Sequence, residues 1–386
     1  MKESLFNFHL VVVLFFLLCP CNIFSNTVNW QGQSTVWGIV SHTDSTNTQL
    51  AGRYITSLSS SINLSESIFA DAYISSNTFF ESRFNYDNKS WNSTNNDFKT
   101  KLYRCYARLS MTNVDLRIGL QRLNFGSALL LRPLKWFDGL DPRDPTQFSE
   151  GVYGGLFRVF FNNNTNIWLW GLYGNNELKG WELFPTRDDK IEFGYRIQYP
   201  IYTGEVAFTY HQREFDLSGY LRTGFPAPAE MLTEKKYAFD LRLDIEIGFW
   251  SEFVLVDRSS EFFLNRWQRF INIGADYTIG IGNGVRLTGE YIEIGEPIKP
   301  FGSSNPVQYF TNSLDYTLGI VDVLKGVFYY DVKQKELYNF IAWIHTLDNW
   351  QFSFNGFWNP RTRLINNDSN DILVGKGMQL SITFNH

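Results

Sequence analysis

The sequence predicts an all-β fold, a transmembrane antiparallel up-and-down β-barrel of 16–18 strands, and three observations carry that expectation. The first is alternation. In Tyr237-Ala238-Phe239-Asp240-Leu241-Arg242-Leu243-Asp244-Ile245-Glu246 every odd position is aromatic or aliphatic, and nearly every even one is charged. Successive side chains of a strand point to opposite faces, so this segment has one apolar and one ionic face. The second is rhythm: segments of about ten residues are joined alternately by very short turns and long polar loops, as in membrane-spanning barrels. The third is composition. Aromatics make up 17% of the 386 residues, with Phe alone at 35, while only 19% are charged. Soluble domains run nearer about 25% charged. The mean hydropathy is nonetheless slightly negative, which fits a sheet that is apolar on one side only. A formal net charge of −5 argues against nucleic acid as a partner.

Taken in order, the strands run over 33–41, 49–58 and 66–75, then 101–111 and 114–124 around Thr112-Asn113. Strands at 152–161 and 166–174 flank the turn Asn162 to Thr165, and those at 190–199 and 204–213 flank Pro200 to Thr203. The pair 236–246 and 249–257 meets at Ile247-Gly248, and 267–279 and 285–295 meet at Gly280 to Gly284. The last five are 309–319, 325–332, 337–347, 350–358 and 377–385, with Asp348-Asn349 as the final short turn. Gly, Asn, Asp and Pro supply the dihedrals such turns need. That makes 18 strands, an even number. Long loops are expected at 76–100, 125–151, 175–189, 214–235, 296–308 and 359–376. Ten residues at about 3.3 Å each, tilted about 40°, cover roughly 25 Å, the height of an outer-membrane apolar band. Aromatics such as Trp37, Tyr73, Tyr153, Tyr210, Tyr237, Tyr291 and Trp350 sit toward strand ends, where headgroups favour amphipathic rings.

Lys2, the apolar run Leu10 to Leu18 and the small or polar residues up to Ser25 read as a signal peptide over 1–25. The run is too short for a membrane helix, which needs about 20 apolar residues. The barrel then occupies 26–386, and Cys105 is its only cysteine. No internal disulfide and no cysteine metal site can form there.

On the polar face the first half of the barrel offers Arg53, Arg104, Arg108, Arg117, Arg158, Arg196 and Arg213. The second half is acidic, with Asp240, Asp244, Glu246, Glu252, Asp276, Glu290, Asp315 and Asp331 against Arg242 and Arg286. One arrangement is a transverse field between a basic and an acidic wall. The other is local cross-strand pairing. The segment 125–151 is too apolar for water, with Leu129, Leu130, Leu131, Leu134, Trp136 and Phe137 close together. It is expected to fold into the barrel, with Arg132, Lys135, Asp138, Asp141, Arg143 and Asp144 lining a constriction. Packing on the outer rim is the alternative.

Leu116-Arg117-Ile118-Gly119-Leu120-Gln121-Arg122-Leu123-Asn124-Phe125-Gly126, followed by Asp141-Pro142-Arg143-Asp144-Pro145, resembles outer-membrane porin-like barrels related to the alginate-export channel. The whole chain is also similar to uncharacterised Bacteroidetes-type barrel proteins. The resemblance implies a monomeric barrel of about 18 strands with an arginine-bearing pore. It makes Arg104, Arg108, Arg117, Gln121 and Arg143 candidate pore residues. Strand parity adds Arg158, Arg196, Asp240, Arg242 and Asp244. The acidic second wall departs from an anion-conducting pore.

His42, His211, His345 and His386 show no pair at metal-ligand spacing. No phosphate loop or nucleophile elbow is present, and the rim pair His42/Asp44 is the only neighbour couple suggestive of hydrolysis. The expectation is therefore no enzyme, no cofactor and no metal. It is an outer-membrane channel of a Gram-negative bacterium, passing small polar or anionic solutes, with short periplasmic turns and long extracellular loops. The alternative is a barrel plugged by its own loop that docks a partner protein through its outer loops.

Overall fold

The computed structural model describes residues 27–87, 90–139, 148–217, 232–259, 265–361 and 372–386. Its described residues form a closed antiparallel barrel of 18 strands. In chain order these are β1 (Thr27–His42), β2 (Thr46–Ser65), β3 (Ile68–Asp87), β4 (Ser90–Met111), β5 (Val114–Gln121) and β6 (Val152–Phe160). Then come β7 (Asn166–Tyr173), β8 (Ile191–Ile201), β9 (Gly204–Glu214), β10 (Thr233–Asp244), β11 (Gly248–Ser259) and β12 (Trp267–Ile279). The last are β13 (Val285–Gly295), β14 (Val307–Thr317), β15 (Asp322–Asp331), β16 (Glu336–Leu347), β17 (Trp350–Trp358) and β18 (Lys376–Asn385). Each strand pairs with its chain neighbours, and β1 closes the sheet on β18 from Gln33↔Asn385 to His42↔Lys376. Gly32 and His386 exchange both backbone hydrogen bonds at 2.9 Å, extending the seam to the last residue.

Closure follows from the alternation. Phe239 is half exposed on the outside, whereas Ala238 and Asp240 are buried inside. The same parity turns Val36, Ile118, Leu169, Phe193, Ile273, Phe310 and Leu380 outward, each exposed. A water-soluble protein seldom shows even one large apolar patch, and here the apolar surface runs round the cylinder. A closed sheet satisfies every backbone group without an edge, which is what an apolar surrounding demands.

The eight connections at the end where β1 begins and β18 finishes are short: 66–67, 112–113, 161–165, 202–203, 245–247, 280–284, 318–321 and 348–349. The strand ends joined by the long connections 122–151, 174–190, 215–232, 296–306 and 359–375 all lie at the other end. The expected loop over 76–100 is instead strand. β3 and β4 run past the wall as a hairpin, paired from Ile68↔Met111 to Asp87↔Ser90. Ser90 to Asn96 are exposed on both faces, so no apolar alternation marks them.

The interior is not uniformly wet. One cluster joins Leu123, Phe125, Leu130, Leu131, Leu134, Trp136 and Phe137 to inward side chains of the wall. Among those are Trp170, Val254, Phe270, Ile292 and Tyr329. This apolar core sits inside the barrel, on the loop that follows β5.

Candidate functional site

Residues 122–139 leave β5 and pass through the interior, held by two carboxylates on the facing wall. Glu252 on β11 accepts the backbone N–H groups of Ser127 at 2.6 Å and Ala128 at 2.8 Å. Glu290 on β13 accepts those of Leu129 at 2.6 Å, Leu130 at 3.1 Å and Leu131 at 2.6 Å. Between them, on β12, Asn272 donates its amide to the Leu131 carbonyl at 3.0 Å. Consecutive backbone N–H groups form a concave anion site, and these five have no strand partner. Buried unpaired N–H groups are costly, as is a buried carboxylate, so each satisfies the other. Gly126 makes the approach feasible. Its φ of 95° suits glycine, and a Cβ there would lie 2.7 Å from the Glu252 carboxylate.

A second loop, 174–190, packs on the first. Trp181 Nε1 donates to the Arg132 carbonyl at 2.8 Å, and Lys135 Nζ lies 5.1 Å from the Trp181 ring centre. Lys179 reaches Glu192 on β8 at 3.0 Å, and Glu182 takes Arg213 at 3.4 Å and Lys236 at 3.2 Å. These groups are buried, and each charge is met by an opposite one.

The residues singled out from sequence fall into this frame as structural pairs more than as free pore charges. Arg196 on β8 makes a two-pronged contact with Asp240 on β10, at 2.7 and 2.8 Å, with both side chains buried. Arg108 and Arg158 both hold Asp115. Gln121, buried, donates to the carbonyls of Arg117 at 3.2 Å and Gly154 at 3.0 Å. Arg117 lies 5.0 Å over the Tyr106 ring. Arg242 and Asp244 pair with each other at 2.9 Å near the short-turn end. Arg108, Arg158, Arg196 and Arg242 therefore each meet a carboxylate on their own strand or one nearby. Arg132 meets Asp138 at 3.5 Å, and Asp138 is buried within the loop rather than lining a constriction. Asp141, Arg143 and Asp144 lie outside the described residues, as does the expected signal peptide.

Open space lies on the opposite side, along β1 to β4. One cavity of about 560 Å³ is lined by Arg53, Asn77, Lys101, Glu150 and Glu177 among others, toward the long-loop end. A second, of about 620 Å³, is lined by Gln31, Gln33, Ile55, Ser57 and Asn385 and faces the short-turn end. Tyr103 and Phe148 belong to both. Their rings meet edge to face at 6.0 Å, with Arg53 4.4 Å over Phe148. Arg104 fixes this narrowing from behind, donating to the Ser149 carbonyl at 2.5 Å and lying 4.1 Å over Tyr103. The register of β3 and β4 slips here, from Ser75↔Arg104 to Ser76↔Leu102, so Tyr103 is the bulged residue.

Tyr103, Phe148 and the anchoring role of Glu252 and Glu290 were not legible in sequence. One signal existed: Trp250, Val254, Phe270 and Ile292 have inward parity although apolar, marking the wall on which something dry must pack. Burial and the neighbouring Glu177 hold the Glu150 carboxyl above the usual carboxylate range, with Lys101 and Arg104 opposing that. Among the described residues no cluster of metal-ligating side chains is present.

No protein-family model and no curated protein sequence matches the chain. Solved structures match along nearly its whole length. OccK7 (OpdD) of Pseudomonas aeruginosa aligns with a TM-score of 0.57 at 11% identity, over 93% of this chain and 99% of that one. OccAB4 of Acinetobacter baumannii gives 0.57 at 9% identity, over 95% and 99%. An anion-selective porin from Comamonas acidovorans gives 0.50 at 12% identity, over 94% and 100%. The chain thus shares the barrel fold of these outer-membrane proteins.

Proposed function

We propose that this protein is an outer-membrane channel of a Gram-negative bacterium that passes small polar or charged solutes by passive diffusion, without catalysis. The observation that carries this reading is the pair of cavities beside the packed loops, one at each end, meeting at Tyr103 and Phe148. Fold kinship with porins supports it. The exposed apolar exterior supports a bilayer setting. In this reading the segments 122–139 and 174–190 fill the half of the lumen against β7 to β13, and solutes move along β1 to β4.

Selection then rests on few groups. Arg53 and Lys101 offer cationic partners, Glu150 and Glu177 anionic ones, and Asn77 and Asn175 neutral hydrogen bonds. Such a lining replaces part of a solute's hydration while the aromatic pair limits its width. Reconstitution in planar bilayers is expected to give discrete conductance steps, and Phe148→Ala to raise each step. No steps from folded protein would reject the channel. Unchanged steps in Phe148→Ala would reject this route through it.

A further inference from the structure

The rim at the short-turn end is chemically divided. Four consecutive turns around it, 202–203, 245–247, 280–284 and 318–321, carry Tyr202, Ile245, Ile247, Ile281, Leu318 and Ile320. Tyr202 and Ile320 are fully exposed, and Ile245 and Ile281 are 73% and 61% exposed. Glu246 is the only charge in these four turns. The other turns have polar tips, Glu66-Ser67, Thr112-Asn113, Asn162-Asn163-Asn164 and Asp348-Asn349, with Phe161 the one exposed large apolar side chain among them. Turns that project into water favour Gly, Asn, Asp, Pro and Ser. Four adjacent tips that break this rule on one arc form a surface made for something other than water.

The arc is continuous with the outer wall. Above Tyr202 stand Ile191, Phe193, Ile197 and Tyr199, all exposed on β8, and above Ile281 stand Ile273 and Tyr277 on β12. No outward polar residue separates wall from tip on β8. The 11 residues of β8 cover roughly 28 Å at about 3.3 Å per residue and about 40° of tilt, the full height of an apolar band. The band therefore reaches its lower edge at the tips themselves. At its edge, between β15 and β16, Asp322 accepts from Trp343 Nε1 and sits against His345 Nδ1, each at 2.8 Å.

We infer that the turns between β8 and β15 are sunk in the acyl–headgroup boundary of the bilayer, so that the barrel sits tilted, with the remaining short turns in water. This rests on the reading of the chain as a membrane barrel. A bilayer is planar and the closed barrel is stiff, so an apolar rim on one side only is matched by tilt. A protein partner seated on the arc is the competing occupant. The unbroken continuity with the lipid-facing wall favours lipid.

The test uses the full-length protein with Cys19, Cys21 and Cys105 replaced by alanine and single spin-labelled cysteines, reconstituted in dioleoylphosphatidylcholine vesicles. Labels at Tyr202→Cys, Ile281→Cys and Ile320→Cys probe the arc. Phe239→Cys marks the wall, and Asn113→Cys and Asn349→Cys mark the opposite tips. Arc and wall labels are expected to be relaxed strongly by oxygen and weakly by a water-soluble nickel chelate, with the opposite tips reversed. Nickel-accessible arc labels beside a protected Phe239→Cys label overturn the inference, leave the membrane reading standing and free the arc for a protein. Equal protection at all tips overturns the tilt. A nickel-accessible Phe239→Cys label overturns both readings.

Discussion

Arg196 and Asp240 show what a charge inside this barrel is for. Each is buried, their two-pronged contact crosses β9, and Arg196 also donates to Thr209 at 2.8 Å. A buried pair gains little over a well-packed apolar pair, but removing one partner strands the other. Asp240→Ala is therefore expected to destabilise the barrel by about 3–5 kcal/mol, whereas Arg196→Met with Asp240→Leu recovers most of that. Heat-induced unfolding in detergent, followed by circular dichroism, measures both, and equal losses would show that the pair is not coupled. Glu150 has the opposite character. The folded protein prefers its protonated form, so its contribution to stability is full in acid. That contribution is lost as pH rises from the ordinary carboxylate range through the raised value. The charge that appears over that window sits beside Glu177 and within reach of Lys101, which bonds Glu177 at 3.2 Å. Cation preference, read from reversal potentials in a salt gradient, is expected to rise with pH across this range. Glu150→Gln is expected to flatten the rise, and an unaltered profile in that variant would rule Glu150 out as its source.

At the scale of elements, legibility in the sequence follows the solvent on each side of the strand. Wherever one face meets an apolar exterior and the other the lumen, the period-two pattern is strong, and 267–279, 285–295 and 350–358 match β12, β13 and β17 residue for residue. Where β3 and β4 run beyond the wall, Ser90 to Asn96 are exposed on both faces, regular alternation is lost, and strand reads as loop. The segment 122–139 announces its burial through its leucines and aromatics, but not its anchors. Glu252 and Glu290 look like any other lumen carboxylate until the backbone N–H groups they hold are seen. Those anchors sit on the wall and hold the loop, and the cylinder's own hydrogen-bond ladders do not pass through it. Deleting 128–144 is thus expected to leave a closed, heat-modifiable barrel whose conductance rises severalfold. Deletion exposes Val254, Phe270 and Ile292 to water and removes the packing that Leu130, Leu131, Leu134, Trp136 and Phe137 supply. A deleted barrel with unchanged conductance would mean that the loop does not narrow the path.

For the whole molecule the decisive feature is closure. β18 is paired on both sides, with β17 from Trp350↔Phe384 to Trp358↔Lys376 and with β1 along its full length. Its end is fastened by rings as well: Phe384 packs on Trp350 at 4.6 Å, and His386 lies 4.7 Å from Trp30 and stacks on Tyr54 at 6.0 Å. Removing residues 376–386 would leave β1 and β17 with open edges in an apolar surrounding, where each unpaired backbone group costs several kcal/mol. The neighbouring ladders cannot absorb this, because the tilt and stagger of a barrel are set jointly by its strand number. The truncated chain is expected to lose the mobility difference between unheated and boiled samples on detergent gels. Replacing His386 by alanine, which keeps the backbone pair with Gly32 and removes only the ring, is expected to retain that difference at a lower unfolding temperature. If the truncated chain still migrated as a compact species before boiling, a smaller set of strands would be able to close, and the β1–β18 seam would not be what holds the cylinder shut.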